Sequence, residues 1–182
     1  AEEELDPDAV FFTGASNGGM MTFRMVIERP DLMAGAATFI ANLPEEAVDF
    51  PAEPIPLLML VGTDDPLIRF EGGALGRGSR GRVISADATA ARWAAQNRAE
   101  PGAVTWYPDD ALDDGCRLQR TDYLPAEDGA PFVYIVAEGG GHTVPVRDSG
   151  SMGWLARRLL GAQCHDASGA DIAWEFFESL ID

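Results

Sequence analysis

The sequence predicts an α/β fold, a mostly parallel sheet flanked by helices, and three observations carry that expectation. Apolar runs too short to be helices recur along the chain. Segments with apolar residues at helical spacing alternate with them, and glycine, proline and aspartate mark the junctions.

The first run, Val10-Phe11-Phe12-Thr13, lies between Asp6-Pro7-Asp8 and Gly14 and reads as a buried strand. From Gly18 to about Glu28, Met21 and Met25 with Phe23, Val26 and Ile27 keep a helical period, and Pro30 ends it. Ala36 to Ile40 reads as a second strand, the proline-rich stretch Asn42 to Pro56 as a loop, and Leu57 to Val61 as a third strand. A helix is expected from Ser85 to Asn97, with Ser85 as its N-cap. Further apolar runs span Ala103 to Tyr107 and Phe132 to Ala137. Ser168-Gly169-Ala170-Asp171 opens a terminal helix carrying Ile172, Phe176 and Leu180. Strands apolar along their whole length need cover on both faces, so the helices should flank the sheet.

With 182 residues, 46% of them apolar, the chain is long enough for one domain with a sizeable core. Thirty acidic residues face 13 basic ones, all of them arginine, for a formal net charge of -17. So negative a surface repels phosphate backbones and anionic lipids, which argues against nucleic-acid and membrane partners and leaves neutral ligands open. No apolar run approaches the roughly 18 residues a membrane helix needs. The N-terminus, Ala-Glu-Glu-Glu, is not a signal peptide and lacks an initiator methionine, so a mature, processed or excised chain is expected. Cys116 and Cys164 can form one disulfide or remain two thiols.

The first strand runs into Gly14-Ala15-Ser16-Asn17-Gly18, with a helix on the far side. This is the G-x-S-x-G pattern in the strand-turn-helix context that lifts a serine hydroxyl above the sheet edge. Glycines at both flanks, Gly14 and Gly18, are expected where strand and helix come too close for a β-carbon. A serine hydroxyl needs a base, and the chain has two histidines. His142 follows a strand and Gly139-Gly140-Gly141, which reads as a flexible loop at a strand's C-terminal end; His165, just before the terminal helix, reads as a surface or capping residue. A zinc site from the cysteines and histidines is not expected, because Cys164 and His165 are adjacent and no ligand spacing supports it. The third strand ends in Gly62-Thr63-Asp64-Asp65-Pro66, which offers two aspartates to orient the imidazole. Serine, aspartate and histidine then follow one another in the order of an α/β-hydrolase triad.

Together Thr13 to Met21, Glu28-Arg29-Pro30-Asp31-Leu32, Gly62 to Pro66 with Glu71-Gly72-Gly73, Gly139 to Thr143, and Trp174-Glu175-Phe176-Phe177 resemble one group. It is the polyhydroxybutyrate depolymerase and feruloyl esterase group of secreted α/β-hydrolases. The resemblance implies a serine carboxylesterase without a cofactor or metal, with Ser16 as nucleophile, His142 as base and Asp65, before the proline, as the acid. The backbone N–H of Asn17 would be one oxyanion donor. Ala15, Thr143 and Val144 would line the substrate, a neutral feruloyl, acetyl or polyester ester, and the setting would be extracellular. A polyhydroxyalkanoate depolymerase is the alternative within the fold, and a non-catalytic binding module or degenerate hydrolase fragment the alternative outside it.

Val61, Arg69, Phe70 and Val144 depart from the residues usual in the group, which bears on substrate identity. The group usually also carries strands before the nucleophile, with a second oxyanion donor on one of their loops. The chain is therefore expected to be the C-terminal two-thirds of a hydrolase domain, with Glu2 to Leu5 as the end of a preceding helix. The strand at Val10 would then be an open edge, and a companion N-terminal polypeptide is the expected partner.

Overall fold

The computed structural model describes residues 6, 8–46, 50, 53–75, 81–111, 114–147 and 152–181, so the expected helix turn at residues 2–5 lies outside the described residues. Along the chain come β1 (Phe11–Ala15), α1 (Asn17–Glu28), a 3-10 turn (Pro30–Leu32), β2 (Gly35–Phe39), β3 (Leu57–Gly62), β4 (Gly73–Ala74) and β5 (Arg82–Val83). They are followed by α2 (Ala86–Gln96), β6 (Ala99–Trp106), β7 (Arg117–Pro125), β8 (Phe132–Glu138), α3 (Trp154–Leu160) and α4 (Gly169–Glu178).

The main sheet has the order β1-β2-β3-β8-β7-β6, and β4 and β5 form a separate hairpin. β1, β2, β3 and β8 run parallel to their neighbours in that series, whereas β7 is antiparallel to both β8 and β6. The sheet is therefore mostly parallel, as the apolar strands predict, with an antiparallel margin that they do not. The cause lies in the connections: among the described residues, neither β6 to β7 nor β7 to β8 contains the helix that a parallel crossover requires.

Side-chain alternation builds two apolar layers from the same strands. Leu57, Met59, Val61, Phe132 and Tyr134 face α1 and α2, where Phe23, Val26, Ala90 and Trp93 cover them. Leu58, Leu60, Val133, Ile135 and Ala137 face the other side, under Ile172, Ala173, Phe176 and Phe177 of α4. Ser85 caps α2 by accepting from the Ala88 N–H at 3.1 Å, and Ser168 caps α4 by accepting from Asp171 N–H at 3.3 Å. α3 is different, since none of its residues is buried and Trp154, Leu155 and Leu159 are exposed.

Cys116, just before β7, and Cys164, just before α4, are joined in a disulfide with Cα atoms 5.2 Å apart. Of the two states open from the sequence, the structure shows the bridge. Its ends come together because β7 pairs with β8, which feeds the segment leading to Cys164.

Candidate active site

Ser16 occupies the single position between the last residue of β1 and the first of α1, with φ 56° and ψ -121°. A non-glycine residue in the left-handed region costs about 1–3 kcal/mol and persists only where its surroundings enforce it. Here the Ser16 N–H donates to the Phe39 carbonyl of β2 at 2.9 Å, and its carbonyl accepts from Met20 N–H at 3.0 Å to start the helix.

The close approach of strand and helix is real, but its glycines differ from the expected pair. A β-carbon on Gly14 would lie 2.4 Å from the Gly18 backbone, and one on Gly19 would lie 2.7 Å from the Ala41 β-carbon. A β-carbon on Gly18 would meet nothing within 4 Å, because that residue faces out from the first turn of α1. Gly14→Ala and Gly19→Ala should each lower stability by about 1–3 kcal/mol or more, whereas Gly18→Ala should be neutral or raise it by up to about 1 kcal/mol. Thermal melts of the three variants check this, and a Gly18→Ala loss equal to that of Gly14→Ala would contradict it.

Asp65 follows β3, His142 follows β8, and both loops rise from the C-terminal ends of parallel strands beside the end of β1. His142 Nδ1 lies 2.7 Å from Asp65 Oδ2, and His142 Nε2 lies 2.8 Å from Ser16 Oγ. The other Asp65 oxygen, Oδ1, accepts from the N–H groups of Leu67 and Ile68, each at 2.8 Å. Asp65 is 5% exposed, so these partners fix its carboxylate with little help from water. An ionised carboxylate only accepts, which sets the proton on Nδ1 and leaves the Nε2 lone pair for the serine hydroxyl. Asp64 instead is exposed and accepts from its neighbour Thr63 at 3.2 Å.

The loop before His142 is packed rather than flexible. Gly139 N–H donates to Thr63 Oγ1 at 2.8 Å, Asp64 N–H donates to the Gly140 carbonyl at 2.9 Å, and Gly141 N–H donates to the Ala162 carbonyl at 2.8 Å. A β-carbon on Gly139 or Gly141 would lie 2.2 Å or 2.1 Å from the Gly115 or Leu160 carbonyl oxygen. The glycines let three backbones meet, and their conformational freedom is used up in doing so. Thr63, which joins the acid loop to the histidine loop, carries no signal in the sequence beyond its place in the Gly62 to Pro66 motif.

Asn17 is the exposed first residue of α1, where backbone N–H groups have no partner within the helix. Ala15 is exposed at the end of β1. Thr143 Oγ1 donates to the Ala162 carbonyl at 2.8 Å, and Val144 packs in the layer under α4. His165 stands apart from Ser16: its N–H donates to Asp114 at 2.7 Å and its Nδ1 lies 2.9 Å from the Val146 carbonyl. A groove of about 670 Å³ begins at Met20, one turn beyond Ser16, and runs along α1 to Glu28; its lining is mixed, with Phe23, Ile27 and Leu43 beside Arg24, Glu46 and Arg82.

Comparison with known proteins adds names to this geometry. No protein-family model matches the chain. It is 31% identical over 181 residues to "Putative esterase NocK" of Nocardia uniformis subsp. tsuyamanensis, an alignment covering 94% of this chain and 52% of that protein. It is 28% identical over 157 residues to feruloyl esterase B of Piromyces equi, covering 82% of this chain and 27% of that protein. Over 81 residues, 39% of this chain and 33% of that protein, it is 33% identical to carboxylesterase SOBER1 of Arabidopsis thaliana. The chain is thus similar to proteins named as esterases, and spans about half the length of the first and less of the other two. None of the three is named as a polyhydroxybutyrate depolymerase.

Proposed function

We propose that the chain carries the catalytic triad of a serine carboxylic ester hydrolase of the feruloyl esterase type. The observation that carries this reading is the unbroken hydrogen-bonded line from Asp65 through His142 to Ser16. The similarity to proteins named as esterases supports it independently.

The reaction runs through an acyl-enzyme. Ser16 Oγ attacks the ester carbonyl while His142 Nε2 takes its proton, and Asp65 stabilises the imidazolium that forms. The oxyanion of the tetrahedral intermediate lies against the Asn17 N–H, where the N-terminus of α1 favours negative charge. Collapse expels the alcohol, protonated by His142. Water then attacks the acyl carbonyl, giving its proton to His142, and a second collapse frees the acid and returns the proton to Ser16.

The groove beginning at Met20, where Phe23, Ile27 and Leu43 stand beside Arg24 and Arg82, offers room for the part of an ester that lies beyond the scissile bond. A second oxyanion donor would come from a polypeptide segment pairing along β1, which forms one edge of the sheet. Its absence would cost about 10²- to 10³-fold in rate. An extracellular setting fits the disulfide, since such bonds persist in oxidising compartments.

Turnover of methyl ferulate against a hydroxybutyrate oligomer tests the substrate class. Feruloyl turnover is the expected result; preference for the oligomer would assign a polyester depolymerase, and hydrolysis of neither would sink the reading.

A further inference from the structure

Six hydrogen bonds suspend the loop that carries His142 from a single extended strap, Leu160–His165. The His142 N–H donates to the Leu160 carbonyl at 2.5 Å; Gly141 N–H and Thr143 Oγ1 both donate to the Ala162 carbonyl at 2.8 Å. Gln163 Nε2 donates to the Val144 carbonyl at 2.9 Å, Val146 N–H to the Cys164 carbonyl at 3.0 Å, and His165 Nδ1 to the Val146 carbonyl at 2.9 Å. The loop itself belongs to no helix or strand; beyond the ties of Gly139 and Gly140 to Thr63 and Asp64 it hangs on this strap, so a shift of the strap carries the imidazole's backbone with it.

On the strap's upstream side is α3, which buries none of its residues and so offers little apolar anchorage. Near its downstream end Cys164, 2% exposed, is bonded to Cys116, 4% exposed, at the foot of β7. Asp114 adds a second tie there, accepting from Cys116 N–H at 2.8 Å and from His165 N–H at 2.7 Å. β7 pairs with β8 from Arg117 opposite Glu138 onward, and β8 leads into the His142 loop. The disulfide therefore closes a ring of β8, histidine loop, strap and β7.

We propose that the Cys116–Cys164 disulfide is a positioning device for His142, holding the imidazole in register with Ser16 through the strap. This rests on the triad reading above for its effect on rate, but its geometric part does not. Reactions of this kind lose about 10²-fold for a displacement near 1 Å, so slack in the strap should lower kcat and spare ground-state binding.

The test compares the wild-type chain, the variant Cys116→Ala/Cys164→Ala, and Leu57→Ala, which opens a core cavity at the end of β3 remote from the site. Each is measured for melting temperature, for kcat and KM on a small aryl ester, and for the downfield proton resonance of the His142 Nδ1–H bonded to Asp65. The cysteine variant should lose about ten- to a hundredfold in kcat with KM within about twofold, and its downfield resonance should broaden or vanish. Leu57→Ala should lose melting temperature but keep both signals. A cysteine variant with wild-type kcat and resonance, or a Leu57→Ala variant that loses them equally, would overturn the proposal. If the alanine pair does not fold, phosphine reduction of the folded wild-type protein replaces it, and reoxidation must restore both signals. A wild-type chain that shows the resonance yet hydrolyses no ester refutes the esterase reading alone, and the resonance still decides the disulfide's role.

Discussion

Ser16→Ala and His142→Ala should each lower kcat on a small aryl ester by about 10⁴- to 10⁶-fold, and the double variant should be no worse than either single one. The non-additivity follows from the geometry. Ser16 Oγ meets His142 Nε2 at 2.8 Å, so each group is inert in the reaction without the other. Their effects on stability should differ. Ser16→Ala removes a hydroxyl that is only half buried, leaving the turn's backbone bonds to Phe39 and Met20 intact. His142→Ala leaves the buried Asp65 Oδ2 without its partner, which should cost about 1–3 kcal/mol or more. Steady-state kinetics and thermal melts on the three variants check both halves; a double variant far slower than either single would show that the two residues act separately.

Asp65→Asn is expected to lower kcat by about 10⁴-fold, whereas Asp64→Asn should change it less than about twofold. The loss depends on which end of the new amide faces the histidine. Leu67 and Ile68 N–H groups both donate to the inner oxygen at 2.8 Å, and that site accepts only an oxygen. The amide nitrogen must then point at His142 Nδ1 and donate to it. This forces the imidazole proton onto Nε2, where it faces the serine hydroxyl and cannot act as a base. The fold should be little disturbed, because the replacement has the same shape and keeps both backbone bonds. Asp64 is exposed and its carboxylate accepts from Thr63, whereas His142 Nδ1 is bonded to Asp65, so the Asp64 carboxylate has no part in setting the tautomer. Kinetic constants of the two asparagine variants decide the matter, and equal losses would assign the wrong carboxylate.

The placement of Ser16 and His142 was legible in the sequence because each is marked by chemistry that is rare along the chain. A serine within G-x-S-x-G between a strand and a helix reads as a nucleophile, with a structural glycine turn as the plainer alternative, and the chain has only two histidines. The choice between Asp64 and Asp65 was not legible from the residues alone, since a loop turning over a sheet edge sends adjacent side chains in different directions. The resemblance selected Asp65, the aspartate that the structure sets against His142.

Elements failed to show where burial failed to write a pattern. β7 is partly exposed along most of its length and carries arginine, glutamine and aspartate, so its sequence lacks the apolar run that reveals β3 and β8. α3 turns its large apolar residues outward, which leaves no face to recognise. The glycine that spares Ala41 a collision is Gly19 rather than Gly18 because the contact comes from β2 and the segment after it, partners invisible to local spacing. The disulfide and the packing of Gly139 to Gly141 are likewise tertiary, made by Gly115, Leu160 and Ala162 from distant parts of the chain.

The whole proposed mechanism depends on Ser16 being a nucleophile activated by His142 and Asp65. Exposure of the wild-type chain to an organophosphonate ester, followed by intact-mass and peptide mass spectrometry, tests it most directly. One phosphonyl adduct on the peptide holding Ser16, lost in Ser16→Ala and strongly slowed in Asp65→Asn, is the predicted result. Labelling that persists on another residue in Ser16→Ala, or no labelling of the wild-type chain, would contradict it.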